Sequence, residues 1–156
     1  MLYYAEADLS HLEVPGETCL CLYISGCLHK CKGCHYSILQ DKNTGLPLSK
    51  YIYDLVELYI SKITCVCYLG EGNNSAEEKH ELIKYSKYVH SRGLKSCLYS
   101  GSNTSVEDWM KTFDYIKLGA YDSSRGGLSA QTTNQMMLQK DGNSYIDITY
   151  KFWDTN

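Results

Sequence analysis

Short apolar runs alternate along this chain with longer segments whose apolar residues recur at helical spacing. The first run, 18-TCLCLYIS-25, is apolar on both of the faces a strand presents, which predicts a central parallel strand covered from both sides rather than an edge strand. After Leu46-Pro47 the spacing of Ile52, Leu55, Val56 and Tyr59 predicts a helix, with Ser49 as its N-cap. A second strand, 64-TCVCYL-69, runs into 70-GEGNN-74. Ser75 then caps a second predicted helix with Glu77 and Glu78 in its first turn, where carboxylates oppose the positive dipole end. Gly93 closes it after Arg92. A third strand, 95-KSCLYS-100, precedes a short helix expected to start at Ser105, with Glu107 and Asp108 behind it. The fourth strand is 114-DYIKLG-119, followed by a long polar loop over 120–135 and two weaker strands near Met136–Leu138 and Tyr145–Thr149.

This order, β-α-β-α-β-α-β, predicts a single α/β domain spanning 1–156 with a mainly parallel sheet. A chain of this length buries roughly 70% of its unfolded surface, so it needs no disulfides to fold. In such sheets ligands bind outside the carboxyl ends of the strands. Four segments gather at that edge: a cysteine-rich loop after the first strand, GEGNN, SGSN and 118-LGAYDSSRGG-127.

Charge removes some functions. A net charge of −3 gives no basic face of the kind that nucleic acid requires. No apolar run approaches the ~20 residues a bilayer needs, and 1-MLYYAEADLSHLEV-14 lacks a basic start followed by an apolar core. These features predict a cytoplasmic protein without membrane or nucleic-acid partners. In a reducing compartment its eight cysteines read as thiols or metal ligands, not as a disulfide framework. The chain also carries 15 tyrosines against 2 phenylalanines, so many rings are expected half-buried with the hydroxyl reaching water or a partner.

The densest chemistry lies in 26-GCLHKCKGCH-35, where Cys27, Cys31 and Cys34 are spaced C-x3-C-x2-C. Three readings compete. Cys31-Lys-Gly-Cys34-His35 fits the rule for covalent haem attachment, but leaves Cys27 idle. A closed zinc site wants four ligands, which the three thiolates plus His35 or His29 would supply. The candidate second pairs, Cys19/Cys21 and Cys65/Cys67, sit inside strands, where each pair points to one face and reads as apolar core, as does Cys97. A [4Fe-4S] cluster uses all three thiolates and leaves one iron open to a chelating substrate.

The triplet resembles that of the radical S-adenosylmethionine (SAM) enzymes. The fuller stretch 24-ISGCLHKCKGCH-35 resembles the activating proteins of the anaerobic (class III) ribonucleotide reductase. So do 15-PGETCLCLYISGC-27, 68-YLGEGN-73, 98-LYSGS-102 and 118-LGAYDSSRGGLSAQTTNQMM-137. The resemblance implies an incomplete (β/α) barrel, a cluster on Cys27, Cys31 and Cys34, and SAM chelating the open iron. Its reductive cleavage would yield a 5′-deoxyadenosyl radical that takes a glycine α-hydrogen from the reductase, with a flavodoxin-like electron donor. Glu71 is the candidate for the SAM ammonium, Gly70 and Gly72 for close backbone approach, and Ser100 and Ser102 for its carboxylate or ribose. His29 and His35 are expected near the ligands, and Asn134 and Gln135 at the partner interface or in fold closure. The alternatives are a radical SAM enzyme with another glycyl-radical or small-molecule substrate, and a zinc-stabilised binding module.

Overall fold

The computed structural model describes residues 1–25, 45–72, 74–101 and 105–153. Four strands form its centre: β2 (Cys19–Ile24), β4 (Cys65–Leu69), β5 (Lys95–Tyr99) and β6 (Tyr115–Leu118). They pair in parallel, in that order, each within a residue or two of the run that predicts it. Every residue of β2, β4 and β6 is buried, as continuous apolar runs require.

The flanks differ from the expectation of a mainly parallel array. β1 (Tyr3–Ser10) pairs antiparallel with β2 and, on its other side, with the two-residue β3 (Leu46–Pro47). At the opposite flank β7 (Met136–Asp141) and β8 (Ser144–Asp147) form an antiparallel hairpin on β6. Their two-residue turn starts at Gly142, whose φ of +62° suits a tight hairpin. The result is one mixed eight-stranded sheet, ordered β3-β1-β2-β4-β5-β6-β7-β8.

Two helices, α1 (Leu48–Tyr59) and α2 (Ala76–Ser91), cover one face. From α1 come Leu48, Ile52 and Val56, and from α2 come Leu82, Tyr85 and Val89; they pack on Leu20, Leu22, Ile24, Val66, Tyr68, Leu98 and Ile116. Each such large apolar side chain is worth roughly 1.5–3 kcal/mol on burial. Arg92 grips Glu57 through two hydrogen bonds, 2.6 and 3.0 Å, and Tyr88 donates to the same carboxylate at 2.8 Å, so the helices are also joined at their surface.

The caps are instructive. Ser75 accepts from the Glu78 amide at 3.2 Å, as its sequence position predicts. At the other end of α2, Gly93 takes φ +78° and its amide reaches the His90 carbonyl, while the Leu94 amide reaches that of Val89. This pairing defines a Schellman motif. Ser49 does not cap α1: the helix begins at Leu48 after an extended Pro47, and the Leu48 amide donates to the Leu2 carbonyl instead. The segment after Ser105 forms only a 3-10 turn over Asp108–Thr112, with Glu107 before it.

Among the described residues, the second face is covered without an α-helix. Cys19, Cys21, Tyr23, Cys65, Cys67, Leu69, Cys97 and Tyr115 form its lining, and Val14, Met137 and Ile148 close over it, with Leu128 and Phe152 packed alongside. The Trp153 indole donates to the Leu128 carbonyl at 2.9 Å and ties this cover together. Among the described residues, no helix is long and apolar enough to cross a membrane.

Candidate functional site

Half of the buried polar side chains among the described residues lie just at or past the carboxyl ends of the central strands: Ser25, Glu71, Ser100, Lys117 and Gln135. Glu71, which sequence alone leaves open as a solvated loop carboxylate, is only 3% exposed. The Ser100 hydroxyl donates to its Oε1, so β5 orients a carboxylate that β4 delivers.

Gly70 and Gly72 flank Glu71 and take positive φ, +123° and +65°. A Cβ at Gly72 would meet Glu78 Oε2 at 2.6 Å and Leu2 at 2.7 Å; one at Gly70 would meet Ile24 at 3.3 Å. Both glycines thus have an internal reason to be glycine, the close passage of the chain's own side chains.

Lys117, in β6, is 8% exposed. Its ammonium donates to the Gly119 carbonyl at 2.9 Å and lies 5.5 Å from the centre of the Tyr99 ring. Gln135 Nε2 donates to the same carbonyl at 3.3 Å. Gly119 takes φ +100°, and a Cβ there would come within 3.1 Å of the Gln135 Cα, so this glycine lets the returning chain pass close.

The polar 120–135 segment is folded on itself. Arg125 Nε donates to the Thr132 carbonyl at 3.0 Å, Thr133 to that of Gly126 at 3.0 Å, and Asn134 Nδ2 to that of Ala120 at 3.0 Å. Asn134 and Gln135 therefore serve loop closure.

The five described cysteines, Cys19, Cys21, Cys65, Cys67 and Cys97, are free and fully buried on the second face. They stand in register across strands, Cys19 beside Cys65, and Cys21, Cys67 and Cys97 in a row. A hydrogen bond with Cys19 and burial push the Cys65 thiol well up; burial, then bonds with Cys21 and Cys97, do the same for Cys67. Burial also raises Cys97, against a partial offset from its bond with Cys67. Cys65, Cys67 and Cys97 are thus held as neutral thiols at ordinary pH, whereas metals take thiolates. Among the described residues no group of three or more His, Cys, Asp or Glu side chains is arranged to hold a metal ion. The reading of Cys19, Cys21, Cys65, Cys67 and Cys97 as core agrees with this structure.

Beneath that layer Glu17 accepts from the Tyr115 hydroxyl at 2.6 Å and from Lys95 at 2.9 Å. Burial pushes its carboxyl up, but the bonds from Lys95, Tyr115 and Thr64 and the charge of Lys95 reverse this, and the net position is below the usual value.

Of the residues singled out from sequence, Gly70, Glu71, Gly72 and Ser100 come together at one edge. Cys27, Cys31, Cys34, His29, His35 and Ser102 lie outside the described residues. Sequence reading passed over Lys117; its signal was a cation inside the otherwise apolar run 115-YIKL-118.

The site thus combines a parallel-strand carboxyl edge with a set of buried charges, in an α/β domain whose sequence carries three cysteines, C-x3-C-x2-C, after its first parallel strand. A family model described as a 4Fe-4S single cluster domain matches residues 14–118. The chain belongs to that family and is an iron–sulfur protein. No curated protein and no solved structure matches it.

Proposed function

We propose that this chain is a radical SAM activating enzyme for an anaerobic (class III) ribonucleotide reductase, with Cys27, Cys31 and Cys34 as its cluster ligands. The observation that carries the reading is the fate of the other thiols. Five of the eight cysteines are enclosed in the sheet, and the thiols of Cys65, Cys67 and Cys97 are pushed up there. A [4Fe-4S] cluster selects thiolates, and the remaining three are those of the C-x3-C-x2-C loop. That set is one ligand short of a closed site, which suits a centre that must accept an outside chelator.

When bound, such a cluster supplies the electron that cleaves the SAM sulfonium and so enables removal of a glycine α-hydrogen from the partner. The chain's own part is to bind and orient. The buried Glu71 carboxylate, held by Ser100, fits the SAM ammonium, because a charge-assisted bond is strongest where water is excluded. Gly70 and Gly72, both at positive φ, let the backbone turn on either side of that carboxylate, and Ser102 belongs to the same proposed set. In this reading the sheet is an incomplete (β/α) barrel whose open side admits the reductase's glycyl loop, and a flavodoxin-like protein is the reductant.

The test is anaerobic purification followed by iron and sulfide analysis, then incubation with SAM, dithionite and the host's anaerobic reductase. About four irons per chain, 5′-deoxyadenosine release and a glycyl doublet in the electron paramagnetic resonance spectrum are the expected results. Stoichiometric zinc without iron, or iron without SAM cleavage, overturns the proposal.

A further inference from the structure

A buried hydroxyl is costly to leave without a partner, so one that finds none within the chain calls for a physical reason. Four buried side-chain atoms of the described residues have no hydrogen-bond partner: Glu13 Oε2, Ser25 Oγ, the Tyr68 hydroxyl and Asn134 Oδ1. The carboxylate oxygen of Glu13 and the amide oxygen of Asn134 are acceptors. Tyr68 lies in the apolar core under the helices. Of the four, only Ser25 places a donor at the carboxyl edge, directly after β2.

Ser25 is also the exception among the buried serines. Ser86 and Ser96 share a hydrogen bond of 2.7 Å, and Ser100 donates to Glu71. The Ser25 amide donates to the Tyr3 carbonyl at 2.9 Å, which fixes its backbone to the start of β1. Ile24 faces the helices, so the period-two alternation of β2 puts the Ser25 side chain on the second face, in line with Cys21 and Tyr23. The sequence then runs Ser25-Gly26-Cys27. Two residues span at most about 7 Å, so the hydroxyl is held within side-chain reach of the first cysteine of the triplet.

The sulfurs of a thiolate-held cluster accept hydrogen bonds, and those bonds are among the factors that set its reduction potential. Reduction adds negative charge, which strengthens any bond donated to sulfur. A donor there stabilises the reduced form more than the oxidised one and raises the potential.

We propose that the Ser25 hydroxyl donates a hydrogen bond to a sulfur of the cluster beside Cys27 and so makes the cluster easier to reduce. This rests on Cys27 being a cluster ligand, as in the function proposed above, and on neither SAM nor the reductase.

The test is a redox titration of the anaerobically purified, iron-loaded protein, followed by electron paramagnetic resonance of the reduced cluster, with iron content and thermal melting as controls. Ser25→Ala is expected to load iron and melt as the wild type does. Its potential should fall by about 59 mV, a tenfold shift in the one-electron equilibrium. Ser25→Thr, which keeps the hydroxyl, should stay near the wild-type value, while Ser25→Val, its apolar counterpart, should fall with Ser25→Ala. A merely structural serine would move the melting temperature and leave the potential alone. An iron-loaded Ser25→Ala protein with the wild-type potential overturns the proposal. So does a folded Ser25→Ala chain that retains no iron, because the hydroxyl would then hold the cluster instead of tuning it. The wild type gives a check that needs no variant: its reduced cluster should show a proton coupling that deuterated solvent removes, and the lack of one overturns the proposal. These outcomes leave the activase reading intact. A wild-type chain that takes up no cluster defeats both, and the expected shift in a chain that does not cleave SAM defeats the activase reading alone.

Discussion

Glu17 shows how a single buried carboxylate ties distant parts of the chain. Tyr115 and Lys95 converge on it from two neighbouring strands. Its carboxyl titrates below its unfolded value, so the stability it contributes is fully present above about pH 4.3 and is lost as pH falls through the folded value. Glu17→Gln is expected to flatten the acid side of the stability profile, measured by urea unfolding between about pH 5.5 and 3. At neutral pH it should cost about 2 kcal/mol, mostly from the buried Tyr115 hydroxyl, because Lys95 is half exposed and contributes little. Part of the tyrosine excess resolves in the same way. Tyr85, Tyr88, Tyr99, Tyr115 and Tyr145 bury ring surface while their hydroxyls donate to a carboxylate or carbonyl of the chain. At Arg125 the structure changes what a mutation would mean: its guanidinium holds Thr132, so charge reversal there would loosen the loop itself as well as alter any partner contact.

At the level of elements, the two helix starts make a controlled pair. Ser75→Ala removes a cap and is expected to cost about 1 kcal/mol, whereas the exposed Ser49→Ala should stay within about 0.5 kcal/mol. Denaturant midpoints of the two variants check this; equal losses would contradict the observed caps. The same contrast explains what was legible in the sequence. Central strands buried on both faces are written as uninterrupted apolar runs, and the second helix carries both its cap and its terminal glycine. β1 was not legible, because 3-YYAEADLS-10 buries only Tyr4 fully and owes its strand form to pairing with β2. Ser49 misled because the helix start is set by a long-range bond to Leu2. At the site, the motif exposes Glu71, but burial of Lys117 follows from β6 lying between β5 and β7, which no local pattern reveals.

For the molecule as a whole, the sheet separates its sulfur into two populations. Five thiols are enclosed between the strands and a cover of irregular chain. In cluster-free protein under native conditions, a thiol reagent should therefore react rapidly with no more than three of the eight cysteines, and with all eight in denaturant. A larger rapid fraction would contradict the enclosed layer and the assignment of ligands that depends on it. Among the described residues that cover is a few side chains from Val14, Leu128, Met137, Ile148 and Phe152, while the opposite face carries two helices. Detaching it exposes far less surface than global unfolding and so requires less free energy. The slow reaction of the enclosed sulfurs is consequently a built-in stopwatch: its rate reports how often this one side of the molecule breathes, while the helical side stays shut.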